Sequence, residues 1–499
     1  HRLESVKILP DVGVTPPRLY GWTATEAIRL VEEAAAGRKR IFAMMTTSSG
    51  ATAGKPSEWS ATIDRLAFGL RGDSLTPLDL PEVEGLTPVL TPRLFVVAAG
   101  NVSWNHWHEY PFRNDLETIE DPAQSWNALT VGAFTEQVEF NRTRWPSLST
   151  IAPHGALAPA SRTSVNWSRS WPHKPDVVAE GGNGCLDARM VQSVVVGPED
   201  VRMLTTSHDP AISLIAETGD TSAATAEVAR LCAHLHHRYP TYWPETIRAL
   251  VVHGADYTTA MRAGMSIVPT QLERESLVGR YGYGRVRLDS SINSSPRRPV
   301  IVLQENIVPY VRSGNSRKLG QMNVHQLPWP SEELEALGET SVALKITLSY
   351  FIQPNPSRRG WQSKFRYQNF ALRFAVRAAS ETAERFQQRI NKINRDDMGD
   401  ERENSMPDPD GAGWLLRSRL RSRGSLHSDT WFGTAAALAN KSEIAVFPVG
   451  GWWKEVGAQL EEDVEMRYAL VVSLEVSTDA DVNIYSPIAT CLLYTSPSP

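Results

Sequence analysis

Cysteine is scarce in this chain: Cys185, Cys232 and Cys491 stand far apart among 499 residues. Thiols so separated build neither a disulfide framework nor a zinc knuckle, whose ligands come in close pairs. No apolar run approaches the ~18 residues a membrane span needs, so no membrane role is expected. Charge of one sign is lacking too. Lys and Arg number 51 against 56 Asp and Glu, a net −5. That is not the basic surplus of an electrostatic nucleic-acid binder, and no nucleic-acid partner is expected. No unit of 20–50 residues repeats, which sets solenoids and propellers aside. A soluble protein of a reducing compartment, the cytoplasm, is the expectation.

What is present is ordinary globular material, 41% hydrophobic and 21% charged. The length passes the ~250–300 residues at which one core stops growing, so two or more domains are expected. Both ends look cut. The chain opens at His1 rather than Met, and HRLESVKILP reads as a strand from inside a domain. The closing CLLYTSPSP breaks the pattern of the strand before it, and 490–499 reads as a disordered or artefactual tail.

The first half alternates strands with helices. Strands are expected at Ser5 to Leu9, Ile41 to Met45 (buried), Leu94 to Ala98 and Ala128 to Ala133. Thr23 to Glu26 has the form of a capping box, with Ala27, Ile28, Val31 and Ala35 at helical spacing behind it. A second helix starts near Ser57, with Ile63, Leu66 and Ala67 on one face. LFVVA at 94–98 is apolar throughout, as a parallel strand covered on both faces must be. The rhythm is that of an α/β fold with a parallel sheet and helices on both faces. Further on, helices are expected at Ala223 to His236 and from Pro244. Residues 280–286 (RYGYGRV) read as a tight turn, not a phosphate loop, because no helix follows them. Residues 291–299 have a linker's composition, and beyond them alternating strands at 300–302, 342–350, 370–376, 444–447 and 468–476 read as a β-sandwich-like domain. It includes one helix near 383–393, then a charged, mobile stretch to Ser405. The expected domains are therefore 1–290 and 300–489.

Chemistry gathers at GDTSAATA, residues 219–226. A serine flanked by small residues at a strand-to-helix junction exposes its hydroxyl and has a helix N-terminus behind it. Taken alone, the segment reads as only a helix start with Thr221 or Ser222 as N-cap. A second feature is VVAAGN, a buried strand ending on Asn101. A side-chain amide there can donate to an oxyanion; its bland alternative is a turn residue.

AAGN at 98–101, NALTVGA at 127–133, KPDVVAEGG at 174–182, GDTSAATA and WPETIRALVVHGA at 243–255 occur in one order. Together they resemble the subtilisin-like serine peptidases, the subtilases, over roughly His1 to Val286. The resemblance implies a subtilisin-like sheet here truncated at its N-terminus, an endopeptidase acting on polypeptides, Ser222 as nucleophile and Asn101 as oxyanion donor. It implies no cofactor and no metal. It also implies that substrate pairs along Met45 to Ser49, with Thr46, Thr47 and Ser48 as binding residues, and along the stretch after Asn101. Asp220 is a departure, since the family usually runs Gly directly into Thr-Ser. The 121 residues from Asn101 to Ser222 imply surface insertions such as Trp104 to Asp121. LSYFIQPNPSRRGW and VFPVGGWWKE resemble a branch of large bacterial subtilases with a β-rich C-terminal domain. Some of that branch look like components of anti-phage defence that act beside an AAA-type ATPase.

A subtilase triad needs an Asp and a His ahead of the serine. Asp11-Val-Gly resembles the aspartate motif, yet no histidine lies between His1 and His106. His154-Gly and His253-Gly imitate the histidine motif in the wrong places. Counting elements back from Asn101 puts the histidine helix just upstream of residue 1. The alternative is a catalytically inactive scaffold that binds a partner protein. His234, His236 and His237 read as a solvated or packed helix face, His106-Trp-His108 as insertion packing, and the basic run Arg417 to Arg423 as a solvated face.

Overall fold

Five apolar residues in succession leave no face of a strand for water, and Leu94–Ala98 is buried at every position. In the computed structural model of this chain it lies between two parallel neighbours, Ile41–Met44 and Leu129–Thr135. Leu129–Thr135 continues the sheet to Val177–Glu180, again parallel, and its end pairs antiparallel with Ala156–Leu157. The structure describes residues 2–50, 53–70, 90–168, 170–190, 193–314, 316–396, 411, 413–455, 464–476, 483–486 and 488–489. Residues 397–405 of the expected mobile stretch, Cys491 and the 490–499 tail lie outside them.

Ser57 starts the helix Glu58–Phe68 with a reciprocal capping box to Ser60, and Gly69, at φ +111°, ends it. Ile63, Leu66 and Ala67 are buried, as expected, and join Phe95, Val97, Ala24 and Ile28 in one core. The preceding helix starts earlier than its sequence signal. It spans Tyr20–Ala34, because Pro17 opens a 3₁₀ turn, Pro17–Leu19, that runs straight into it. Thr23 therefore sits inside the helix and makes no capping box. Two other expectations are corrected. Residues 5–9 form no strand; they are largely exposed, and among the described residues no neighbour offers them a ladder. Ile41–Met44 is half-exposed, not buried, because it is an edge strand with one described partner.

The chain divides into two compact units, 1–244 with 254–288, and 245–253 with 289–499. The helix Pro244–His253, expected in the first domain, thus belongs from Glu245 onward to the second. Its Arg248 explains why: the side chain is wholly buried and bonds Ser349 Oγ at 3.0 Å, Tyr350 O at 2.7 Å and Ser425 O at 2.8 Å. Among the described residues the second unit has two larger antiparallel sheets and a hairpin of Tyr310–Ser313 with Ser316–Leu319. One runs Val300–Ile307, Met466–Val476, Ser341–Ser349, Leu426–Thr434. The other runs Asn323–Gln326, Glu443–Val449, Ala371–Val376. The stretch 291–299 is not a free linker. Leu474, Val476 and Ile484 N–H groups bond the carbonyls of Pro299, Arg297 and Pro296. The run at 417–423 is not a solvated face either. Arg421 is buried between Phe374 and Trp414 and paired with Asp429.

Candidate active site

The helix Asp220–Arg238 is rich in alanine, packs across four parallel strands, and buries Ala224, Val228, Leu231 and Leu235. Its first turn meets two strand ends. Asp220 N–H donates to Gly181 O at 2.7 Å, just past Val177–Glu180. Thr221 donates twice to Asn101 Oδ1, from N–H at 3.0 Å and from Oγ1 at 2.7 Å. The N-cap is Gly219, which has no side chain to cap with, so neither Thr221 nor Ser222 is the cap.

Those two bonds orient the amide. With Oδ1 engaged twice by Thr221, Nδ2 is the group left to donate, and among the described residues it has no partner. Ser222 lies one residue on, half-exposed, in the turn where helical N–H groups lack carbonyl partners. Neither its N–H nor its hydroxyl is hydrogen-bonded among the described residues. The structure thus brings Asn101 and Ser222 together at the carboxyl edge of the sheet, the usual place for a ligand in an open α/β fold. Two donors without partners beside a free hydroxyl are what a tetrahedral oxyanion requires.

Thr46, Thr47 and Ser48 follow the edge strand and approach the same region. Ser48 exchanges both backbone hydrogen bonds with Asp121, at 2.9 and 3.1 Å. Thr47 Oγ1 bonds Glu120, whose carboxylate lies over Gly100; a Cβ on that glycine would meet it at 2.5 Å. Arg162 spans the cluster, with Glu117 at 2.8 Å, Glu120 at 3.1 Å and Asn101 O at 2.9 Å. Burial raises the Asp121 carboxyl from 3.8 to about 6, against hydrogen bonds from Ser57 and Gln124 that lower it. Sequence reasoning missed Thr221, Glu120 and Arg162. Only Thr221 carried a readable signal, being next to the serine in the motif.

The other candidates lie elsewhere. His154 is exposed. His253 is buried in the second unit between Thr347 Oγ1 at 3.0 Å and Ser473 Oγ at 2.8 Å, and burial holds its ring neutral, well below the usual range. Asp11 is exposed and paired with Lys7. Trp107 is buried and donates to Val102 O at 3.0 Å, so the His106–His108 loop is packing. The two described cysteines are buried thiols, pushed up to about 11 at Cys185 and about 12 at Cys232. Among the described residues no group of three His, Cys, Asp or Glu could hold a metal ion.

The sequence pattern that defines the Subtilase family of peptidases matches residues 1–284. The chain belongs to the subtilase family. Several solved subtilase structures are similar to it. MycP1 from the ESX-1 type VII secretion system shares 18% identity over 41% of this chain and 43% of that one, at a TM-score of 0.22. The epidermin leader peptide processing serine protease (EpiP) from Staphylococcus aureus shares 19% over 40% of each chain, at 0.24. MycP1 with its N-terminal propeptide removed shares 15% over 56% and 68%, at 0.28. The subtilase chain thus spans less than half the length of the first two of these. Comparison with curated proteins gives no match. Among the described residues no helix is long and apolar enough to cross a membrane.

Proposed function

We propose that this subtilase is a serine endopeptidase in which Ser222 Oγ attacks the scissile carbonyl. Asn101 Nδ2 and Ser222 N–H then hold the oxyanion. The Oγ–C bond forms as the serine proton passes to a general base, and the C–N bond breaks as that base returns the proton to the leaving amine. Water, giving its proton to the same base, then attacks the acyl carbon and releases the acid as Oγ regains a proton. The observation that carries this reading is the pair of hydrogen bonds from Thr221 to Asn101 Oδ1, which leaves the amide nitrogen as the group that can donate, one residue from Ser222. Removing one such side-chain donor from a serine peptidase costs about 2.7–4 kcal/mol in the transition state.

Substrate backbone would pair at Thr47. In an antiparallel bridge both peptide groups of a residue point the same way, and those of its neighbours point the other. Ser48 faces Asp121, so Thr47 faces away, its N–H and C=O unclaimed among the described residues. Thr46 and Ser48 flank that pairing position. Thr47→Pro should weaken peptide binding more than folding, read by KM against thermal unfolding; equal losses would make the segment plain core.

A second reading has one observation in its favour. Among the described residues no histidine ring is hydrogen-bonded to Ser222, as an inactive, protein-binding scaffold would require. A fluorophosphonate probe separates the two. Under the peptidase reading the full-length protein should label at Ser222 and fail to label as Ser222→Ala. Asn101→Ala should lower kcat on peptides by about 10²–10³. A folded, intact protein that does not label would establish the scaffold.

A further inference from the structure

Asp220, immediately before Thr221-Ser222, has φ +66°, the left-handed region that glycine enters freely and most side chains avoid. Its N–H is held by Gly181 O at 2.7 Å, and its Oδ1 meets Arg202 Nη1 at 3.2 Å. Arg202 itself is placed firmly. Its side chain is 8% exposed, its N–H closes the 3₁₀ turn Glu199–Val201, and Nη1 also reaches Asn183 O at 3.4 Å. The guanidinium fills the space beside Gly219, where a Cβ would lie 2.2 Å from Nη2 and 2.4 Å from Cζ. Gly219 has an extended φ of 178°, so space, not conformation, is what requires glycine there.

We infer that the Asp220–Arg202 pair is a clamp that holds the left-handed turn ahead of Ser222, in place of the conformational freedom of a glycine. Asp and Asn tolerate this region better than other side chains, and the ion pair selects it from the extended alternatives. The next residue is Thr221, whose two bonds aim the Asn101 amide, so a relaxed turn would move the nucleophile and the oxyanion donor together. Asp220 and Arg202 are therefore positioning residues. The inference rests on the serine peptidase reading for its catalytic consequence, but not for the clamp itself.

The test uses the full-length protein, with three readouts: fluorophosphonate labelling rate, kcat and KM on a peptide substrate, and thermal unfolding. Asp220→Ala should slow labelling and kcat roughly tenfold while KM stays within about twofold, because misplacing a reacting group costs rate more than binding. Asp220→Gly should restore both. Arg202→Gln should cost about as much as Asp220→Ala when Asp220 is present, and almost nothing in combination with Asp220→Gly. Gly219→Ala, which displaces the guanidinium, should match Arg202→Gln. Wild-type labelling rates in Asp220→Ala, or an Arg202→Gln loss that is the same in both backgrounds, would overturn the clamp. If the wild-type protein does not label at all, the peptidase reading fails. The clamp is then decided by unfolding alone: coupled effects of Asp220→Gly and Arg202→Gln support it, and simple additivity overturns it.

Discussion

Thr221 gives Asn101 Oδ1 two hydrogen bonds, and they differ in what a substitution can remove. Thr221→Val deletes the hydroxyl bond and keeps the backbone one, so the amide stays partly oriented. One neutral hydrogen bond contributes about 1 kcal/mol, which predicts a roughly fivefold slower labelling of Ser222. Thr221→Ser keeps the hydroxyl and should label normally; a matching loss would point to the methyl group's packing instead. Asp121 supplies a pH-dependent counterpart. Its carboxyl is raised from 3.8 to about 6, so the folded state binds the proton more tightly than the unfolded chain. The resulting stabilisation is full below pH ~4 and is lost as pH rises through about 6. Ionisation at neutral pH then costs on the order of 1–3 kcal/mol. Asp121→Asn should unfold at a higher temperature than wild type at pH 8 and draw level with it near pH 4. Parallel curves across that range would refute the assignment.

At the scale of elements, the helix Pro244–His253 is anchored by a single buried side chain. Arg248 ties it to Ser349, Tyr350 and Ser425, and its guanidinium lies over the Phe351 ring at 4.7 Å. Arg248→Ala would strand two buried carbonyls and leave a void, at a cost of about 3–5 kcal/mol. Thermal unfolding should register that loss, and Arg248→Lys should recover little of it, because a single ammonium cannot serve three acceptors in a fork. A change below ~1 kcal/mol would mean that water enters freely. This helix also marks where the sequence stopped being legible. Its start was clear from Pro244, but its allegiance was not, because a buried arginine looks in sequence like any surface charge. The same blindness put 417–423 on a solvated face and 291–299 in a linker. The continuous apolar run Leu94–Ala98 was legible because burial on both faces leaves no other composition possible. The strand Leu426–Thr434 was missed, since His427, Ser428, Asp429 and Thr430 break its apolar pattern, although the first three are buried. At the site, Ser222 and Asn101 stood out from their motifs. The polar network of Glu120, Arg162 and Arg202 did not, because it joins residues distant in sequence.

For the molecule as a whole, a nucleophile needs more than a place to stand. A serine hydroxyl at neutral pH holds its proton until a base within hydrogen-bond reach accepts it. The described residues bring to Ser222 a side-chain amide whose oxygen is already engaged and an N–H without a partner, and no hydrogen-bonded histidine. His253 is engaged on both ring nitrogens in the second unit, and His154 stands exposed. Without the base, only the residual ~10³–10⁴-fold catalysis of an oxyanion hole and binding contacts remains. The 499 residues by themselves should therefore leave a fluorophosphonate unreacted over hours. A base that reaches Ser222 would make it react, at a rate that rises with pH as that base loses its proton. Labelling of the 499 residues alone would reveal a base already present, and His154→Ala and Asp11→Asn would be the first variants to trace it.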